Sequence, residues 1–265
     1  LDKMSKSEVL CLMTGGFATI AGGVFAAYVA FLGGTDPESQ ALFAKHLLTA
    51  SLMSAPAAIV CSKILLPETE IIDDDVVLHQ DGETVNVFDA LTAGTSQGLL
   101  LAFNVGAILI VFTGLVALAN FILGDLIATP LGIEEFLGIS EPGLSIEYIF
   151  GWIFSPIAWL LGVHQDDIRL IGQLLGEKLV LNEFVAYAHL GDFKETGLVT
   201  NERSIVLASY ALCGFANFAS VGIQVAGIAI LAPKQRPNLT KLGWRALLGG
   251  TFACLLTASV AGLVI

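Results

Sequence analysis

Three polar side chains could do chemistry because they stand in otherwise apolar segments: Glu183, Asn217 and Ser220. Glu183 could accept charge-assisted hydrogen bonds from two adjacent hydroxyl groups, or it could form an ion pair with Lys178 or Arg169. Asn217 can donate and accept, and Ser220 lies one helical turn further along the same face. Together they suit the donor and acceptor pattern of a sugar, with interhelical hydrogen bonds as the structural alternative.

Three further residues could support such a site. Asn182 could orient Glu183 or cap a helix, and Phe215 could pack against a ligand or belong to the core. Thr19 could bind an ion or a substrate through its hydroxyl group, although a hydroxyl in a membrane helix often bonds back to the preceding turn. The histidines lack metal-ligand spacing, and the four cysteines lie in apolar segments. We therefore expect neither a metal centre nor a cofactor.

The composition places these residues in a membrane protein. Hydrophobic residues make up 55% of the 265-residue chain and charged residues only 14%, and the mean hydropathy is +0.80. Soluble proteins carry roughly 25% charged residues, so a soluble fold of this size is excluded. The formal net charge of −12 argues against a basic surface that binds nucleic acid. The sequence predicts an all-α, polytopic membrane protein in contact with lipid.

Long uncharged stretches indicate the elements that must position the polar residues. About 18 or more mainly apolar residues can form a transmembrane helix. Five segments qualify: 9–32, 46–66, 99–123, 204–232 and 244–265. The segment 145–190 is too charged to face lipid twice, so it predicts a re-entrant helical hairpin with its tip within 163–182. Residues 67–98 predict a cytoplasmic loop with a short interfacial helix from Asn86.

Positive charge orients these spans, because lysine and arginine collect on the cytoplasmic side. If the loop 233–245 is cytoplasmic, the spans alternate in direction from there. This alternation assigns each remaining lysine and arginine that is not in the hairpin to one side of the membrane. The cytoplasmic side then holds Lys3, Lys6, Lys63, Lys234, Arg236, Lys241 and Arg245, and the outer side holds Lys45, Lys194 and Arg203. This bias places the C-terminus outside and predicts that the hairpin enters from outside.

Two spans contain related seven-residue motifs. Residues 16–22 read Gly-Phe-Ala-Thr-Ile-Ala-Gly, and residues 214–220 read Gly-Phe-Ala-Asn-Phe-Ala-Ser, so Thr19 matches Asn217. Because the two spans run in opposite directions, the motifs indicate an inverted repeat. Inverted repeats with interrupted helices are typical of secondary transporters, whose substrate site lies near the membrane midplane. Close packing of small residues is the alternative explanation.

Three motifs resemble those of the concentrative nucleoside transporter family. Residues 176–187, Gly-Glu-Lys-Leu-Val-Leu-Asn-Glu-Phe-Val-Ala-Tyr, are similar to the family signature Gly-x-Lys-x-x-x-Asn-Glu-Phe-Val-Ala. Residues 213–220 are similar to its second signature, and residues 13–22 to an earlier discontinuous helix. The resemblance implies a homotrimeric importer that couples nucleoside uptake to a sodium or proton gradient. It also implies a transport domain that moves against a scaffold.

The resemblance implies roles for the polar residues. The substrate-binding residues would be Glu183, Asn217, Ser220, Phe215 and Asn182. The first three would hold the ribose. Thr19 and Gly23 would lie at the ion site. Relatives usually carry a serine, which is a sodium ligand, where this chain has Gly23, and this difference leaves both sodium and proton coupling open.

The resemblance also divides the chain. Residues 1–66 would end the first transport repeat, residues 67–98 would form the loop, residues 99–128 a scaffold helix and residues 145–265 the second repeat. The family's first hairpin and the helices before it have no counterpart here, so we expect the chain to correspond to the C-terminal part of a member and not to transport alone.

There are three alternatives to a nucleoside symporter: a channel-like protein, a nucleoside-sensing membrane protein and a symporter of another small polar solute. An intramembrane enzyme would need an acid and a base such as Glu183 and His189, but no hydrolase or protease motif accompanies them. We therefore expect a transporter rather than an enzyme, in a bacterial inner membrane.

Overall fold

The computed structural model describes residues 1, 3–70, 86–137 and 143–265, and the regular elements within them are helices. They are α1 (Lys6–Ala18), α2 (Gly22–Gly33), α3 (Pro37–Leu65), α4 (Val87–Phe121), α5 (Ile133–Leu137), α6 (Ile146–Leu160), α7 (Ile168–Val180), α8 (Glu183–Glu195), α9 (Glu202–Leu212), α10 (Phe218–Leu231) and α11 (Arg236–Gly262). A π-helical segment, Ile122–Ala128, continues α4. The predicted all-α fold is confirmed.

Several of these helices have the length and composition of membrane spans. Among the described residues, three stretches are long and apolar enough to cross a membrane: Lys6–Gly33, Pro37–Leu65 and Pro233–Gly262. Large apolar side chains point outward from them, such as Leu52 and Ile64 on α3, which are 76% and 73% exposed. Such surfaces are unfavourable in water and suit a lipid environment. The chain is a multi-pass membrane protein.

Two of the predicted spans are broken in the middle, as their glycine and polar motifs predict. Residues 19–21 separate α1 from α2, and residues 213–217 separate α9 from α10. The two breaks touch each other at Gly214, whose φ is +129°. A Cβ atom at Gly214 would lie 2.8 Å from the carbonyl oxygen of Phe17 and 2.9 Å from that of Ala18. A residue with a side chain would be strained by the positive φ, and its Cβ atom would be too close to these two carbonyl oxygens.

The helical hairpin has α7 and α8 as its arms. Asp167, just before α7, accepts a hydrogen bond from the backbone N–H of Thr200, just after α8, at 3.2 Å. The open ends of the two arms are therefore adjacent, and the chain reverses at residues 181–182. This position is the C-terminal end of the interval that the sequence analysis predicts for the tip.

The segment 145–190 differs from its prediction because it contains three helices, not only two arms. α6 runs antiparallel to α7, and a Cβ atom at Gly172 would lie 2.7 Å from the carbonyl oxygen of Gly151. Gly162, with φ +83°, makes the turn after α6. In the sequence this turn is marked by a single glycine, which is a weak signal. The sequence pattern therefore predicts the apolar run 148–163 as part of the hairpin.

The long helix α4 also differs from its prediction. Residues 87–98 form its first turns, so the helix expected from Asn86 begins there but is continuous with α4 instead of short; residues 71–85 of the expected loop lie outside the described residues. Near the other end, Asn120 fixes α4 to the start of α6. Its Nδ2 donates to Glu147 Oε2 at 2.9 Å, and its Oδ1 accepts from the backbone N–H of Ile146 at 2.8 Å.

Candidate functional site

The structure brings Glu183, Asn217 and Ser220 together, although 34 residues of sequence separate the first two. Asn217 Nδ2 donates to Glu183 Oε2 at 3.2 Å. The hydroxyl group of Ser220 donates to Asn217 Oδ1 at 2.7 Å. All three side chains are buried, with exposed fractions of 4% or less. The cluster joins the tip of the hairpin to the second helix break.

Two asparagines place helix N-termini beside this cluster. Asn182 caps α8, because its Oδ1 accepts a hydrogen bond from the backbone N–H of Val185 at 2.9 Å. Asn217 caps α10 in the same way through the N–H of Ser220 at 2.8 Å. A helix N-terminus carries a partial positive charge that favours anions and acceptor oxygens. The capping role of Asn182 is therefore observed, and its Nδ2 is buried without a hydrogen-bond partner.

A second residue that contacts the Glu183 carboxylate is not predicted from the sequence. The hydroxyl group of Tyr28, on α2, donates to Glu183 Oε1 at 3.1 Å. The Tyr28 ring is fully buried and stacks on Tyr187 with ring centroids 4.3 Å apart. An aromatic residue in an apolar helix resembles any core residue, so the sequence carried no signal for this contact.

The ion pair that could have explained Glu183 structurally is not formed. The ammonium group of Lys178 donates to the carbonyl oxygen of Ala211 at 3.0 Å. The guanidinium group of Arg169 lies over the rings of Tyr148 and Trp152 at 4.9 and 5.2 Å. None of the salt bridges found within the described part of the chain includes Glu183. Neutral donors and a helix N-terminus surround this carboxylate instead.

The remaining candidates lie at the helix breaks without joining the cluster. The Thr19 hydroxyl donates to the carbonyl oxygen of Gly15 in α1 at 3.0 Å. Gly23, in the first turn of α2, is exposed, and a Cβ atom there would meet nothing within 4 Å. Thr19 lines an open, mostly apolar groove of about 630 Å³. Phe215 is half-buried in the second break.

A second polar group lies on the same hairpin. The His189 Nδ1 atom is 2.8 Å from Glu177 Oε2, and Gln173 Nε2 donates to Glu177 Oε1 at 2.7 Å. These residues line a cavity of about 770 Å³ together with Asn120 and Glu147. His189 therefore contacts Glu177 and is no acid–base partner of Glu183. Over the described ranges, no group of three or more His, Cys, Asp and Glu side chains is placed to hold a metal ion.

Comparison with known proteins gives consistent matches over the chain. The family model described as "Na+ dependent nucleoside transporter C-terminus" matches residues 46–262. The uncharacterized transporter YutK of Bacillus subtilis is 39% identical, over 99% of this chain and 60% of its own length. Sodium/nucleoside cotransporter 1 of Rattus norvegicus is 36% identical, over 100% of this chain and 40% of its own length.

A solved structure shows the same fold. CNTnw in an inward-facing substrate-bound state matches with a TM-score of 0.81 and 36% sequence identity, over 99% of this chain and 58% of that one. The chain thus spans about three fifths or less of the length of these relatives. The resemblance to concentrative nucleoside transporters is confirmed, and with it the assignment to transporters rather than enzymes. The chain belongs to the Na+ dependent nucleoside transporter family and matches the C-terminal part of its members.

Proposed function

We propose that the protein imports nucleosides by symport with sodium, and that Glu183, Asn217 and Ser220 bind the ribose. The buried hydrogen-bonded cluster of these three residues carries the proposal. Each is a group that can exchange an internal hydrogen bond for one to a sugar hydroxyl. The family membership supports the substrate class, since a relative is named a sodium/nucleoside cotransporter.

The geometry supports a distinct task for each residue in this proposal. Each oxygen of the Glu183 carboxylate accepts one hydrogen bond from a neighbouring side chain, so each keeps acceptor capacity for a ribose hydroxyl. The Ser220 hydroxyl can turn away from Asn217 and donate to a further oxygen of the ribose. Asn182 holds the N-terminus of α8 beneath the carboxylate, and its buried Nδ2 offers a further donor. Phe215, beside Asn217 in the break, packs against the base or the ribose.

Sodium is the coupling ion that the relatives' names support. Thr19 and the backbone around Gly23 form the proposed ion site, at the break between α1 and α2. The Thr19 hydroxyl group donates to the carbonyl oxygen of Gly15, and its oxygen still has lone pairs for a cation. Gly23 contributes no side-chain oxygen, so the backbone has to supply more of the ligands than in relatives that carry serine.

The assembly and its location belong to the same proposal. The exposed apolar residues of α4, such as Phe103 and Ile110, suit contact with lipid or with neighbouring copies in a homotrimer. A bacterial plasma membrane is the proposed location, since the Bacillus subtilis relative matches nearly the whole chain. Cross-linking of the purified full-length protein followed by gel electrophoresis will give a three-subunit band if the trimer is correct.

Uptake by the full-length protein in proteoliposomes tests the function. We expect uptake of labelled uridine when an inward sodium gradient is imposed, and none when the gradient is collapsed. Uptake driven by a proton gradient instead would replace the coupling ion, gradient-independent flux would indicate a channel, and tight binding without flux a sensor. Failure to bind any nucleoside would leave the symporter of another small polar solute.

The variant Glu183→Gln tests the binding site within that function. It keeps the size of the side chain but removes the charge, and hydrogen bonds to charged groups are worth about 1.5–3 kcal/mol. Uridine affinity should therefore fall about tenfold to a hundredfold. Glu195→Gln, at the exposed far end of the same helix, is the matched control and should bind uridine as the wild type does. Equal affinity of Glu183→Gln and wild type would remove Glu183 from the site.

A further inference from the structure

The Glu183 carboxylate is held by donors from two separate parts of the fold. Asn217 approaches Oε2 from the break before α10, and Tyr28 approaches Oε1 from α2. α2 belongs to the first broken helix and α10 to the second. The two hydrogen bonds to the Glu183 carboxylate therefore depend on how the two broken helices are placed relative to each other.

Packing fixes the Tyr28 hydroxyl group tightly. Its ring is fully buried, stacks on Tyr187 at 4.3 Å and lies 6.1 Å from the Phe184 ring at an inclined angle. Both contacts come from α8, the helix that begins with Glu183. The phenol therefore has little freedom to turn away from the carboxylate, and the hydrogen bond depends on the register between α2 and α8.

Two contacts further along set that register. A Cβ atom at Gly191 of α8 would lie 2.6 Å from the carbonyl oxygen of Phe31, so the two helices meet at backbone distance. The ammonium group of Lys194, at the end of α8, donates to the carbonyl oxygen of Leu32 and to the hydroxyl group of Ser39. A cation at the last carbonyls of α2 is also favoured by the helix dipole. These contacts keep Tyr28 level with Glu183.

We propose that Tyr28 is a positioning residue: its hydroxyl group fixes the Glu183 carboxylate in the plane that lets both oxygens accept hydrogen bonds from ribose hydroxyls. The proposal rests on the proposed ribose-binding role of Glu183. Without the phenol, one carboxylate oxygen loses its donor and the group can rotate about its last bond. The site then loses its selectivity for a sugar with the full set of hydroxyl groups, and not only its affinity.

Tyr28→Phe is the direct test, because it removes the hydroxyl group and keeps the stacked ring. Equilibrium binding of uridine and of 3′-deoxyuridine is measured on the purified full-length protein. We expect uridine affinity to fall about tenfold and 3′-deoxyuridine affinity to change less than threefold, so the ratio between the two ligands falls. A purely structural defect would weaken both ligands equally, which would overturn the proposal.

Tyr187→Phe is the matched control. It removes a buried phenol that donates to the carbonyl oxygen of Ser209 at 2.6 Å, from the other ring of the same stack. This variant should keep the wild-type ratio of uridine to 3′-deoxyuridine affinity, even if its thermal stability falls. Loss of the ratio in Tyr187→Phe as well would attribute the effect to ring packing and overturn the proposed role.

A double-variant cycle with Glu183→Gln gives an independent measurement. Tyr28→Phe should weaken uridine binding in the wild-type background and have almost no effect in Glu183→Gln, because contacting residues couple. Additive effects would show that Tyr28 acts elsewhere and overturn the proposal. If the wild type binds nucleosides and Glu183→Gln loses them while Tyr28→Phe keeps wild-type selectivity, this inference alone fails. If the wild type binds no nucleoside, the proposed function fails first.

Discussion

At the scale of single residues, Glu183 illustrates how a buried carboxylate is accommodated without a salt bridge. Burial of an unpaired charge is costly, and the nearest cations are engaged elsewhere: Lys178 with a backbone carbonyl and Arg169 with aromatic rings. Two neutral hydrogen bonds, the N-terminus of α8 and the charge of Lys178, which is not in direct contact, stabilise the carboxylate. A carboxylate held in this way keeps lone pairs that can accept hydrogen bonds from neutral hydroxyl groups.

A prediction at this scale concerns the proposed ion site. Gly23→Ser adds one hydroxyl oxygen in the first turn of α2, where a Cβ atom meets nothing within 4 Å. If sodium binds at this break, one more oxygen ligand worth about 1 kcal/mol should lower the half-saturating sodium concentration for uridine uptake about fivefold.

Gly22→Ser is the matched control, since it also has open space around a Cβ atom but stands one position earlier. It should leave the sodium dependence as in the wild type. An unchanged sodium dependence in Gly23→Ser would place the ion elsewhere.

The site was only partly predictable from residue types. Glu183, Asn217 and Ser220 stood out because polar groups are rare in apolar segments, and the structure places them in one hydrogen-bonded cluster. Tyr28 gave no such signal, because its ring is stacked in the core and only its hydroxyl group reaches the cluster. Whether a tyrosine in an apolar helix ends at a carboxylate depends on helix register, and periodicity alone does not determine that.

At the scale of elements, the two seven-residue motifs make different contacts despite their similar sequences. Asn217 caps α10, whereas its counterpart Thr19 hydrogen-bonds back to Gly15 in α1. Gly214 lies in a break against two carbonyl groups, whereas its counterpart Gly16 leaves room for the Gln224 side chain. The two helix interruptions therefore overlap at one aligned pair, Thr19 and Asn217, and the residues around that pair differ in their contacts.

A prediction at this scale follows from the contact between the two breaks. Gly214→Ala places a methyl group within 3 Å of two backbone carbonyl oxygens at a φ of +129°. We expect a destabilisation of about 2–4 kcal/mol, seen as a lower temperature of aggregation in detergent by size-exclusion chromatography.

The matched control is Gly222→Ala on α10, where nothing lies within 4 Å of a Cβ atom. It should be neutral or slightly stabilising, because alanine is the better helix former. Equal stability of the two variants would contradict the close approach at Gly214.

The elements themselves were largely predictable, except where one residue decides a turn. Charge-free runs located the broken helices and the long helices, because helices in lipid need continuous apolar sequence. α6 was merged with the hairpin, because its separation depends on Gly162 and on packing at Gly151. The sequence predicts a helix from Asn86 but not its continuity with the rest of α4, because its first turns include the polar residues Asp89 and Thr92.

At the scale of the whole molecule, a polar joint ties the start of the chain to the end of α3. The Ser5 hydroxyl group donates to Glu68 Oε2 at 2.5 Å, and Lys63 Nζ lies 3.7 Å from the same carboxylate and donates to the Ser7 hydroxyl group at 2.8 Å. The Ser5 hydrogen bond, followed by backbone hydrogen bonds and Lys63, holds the pKa of Glu68 below its ordinary value. This joint lies just beyond the apolar part of α3.

The lowered pKa of Glu68 predicts a pH dependence of stability. A carboxylate with a lowered pKa in the folded state contributes stability above its ordinary pKa of 4.5, and this contribution is lost as pH falls through the folded value. Thermal unfolding in detergent should therefore lose less stability below pH 4.5 in Glu68→Gln than in the wild type. The control is Glu38→Gln, in the first turn of α3, which should keep the wild-type pH profile. The same pH profile in the wild type, Glu68→Gln and Glu38→Gln would contradict the contacts assigned to Glu68.

The hydrogen-bond chain from Ser220 through Asn217 and Glu183 to Tyr28 has a consequence for the thermodynamics of ligand binding. Its members already occupy fixed positions through one another before any ligand arrives. The conformational entropy of ordering these side chains is therefore lost during folding, not at each binding event. For the proposed ribose site, this preorganisation means that a sugar would bind with little loss of side-chain freedom and that its release would leave the site ready for the next ligand.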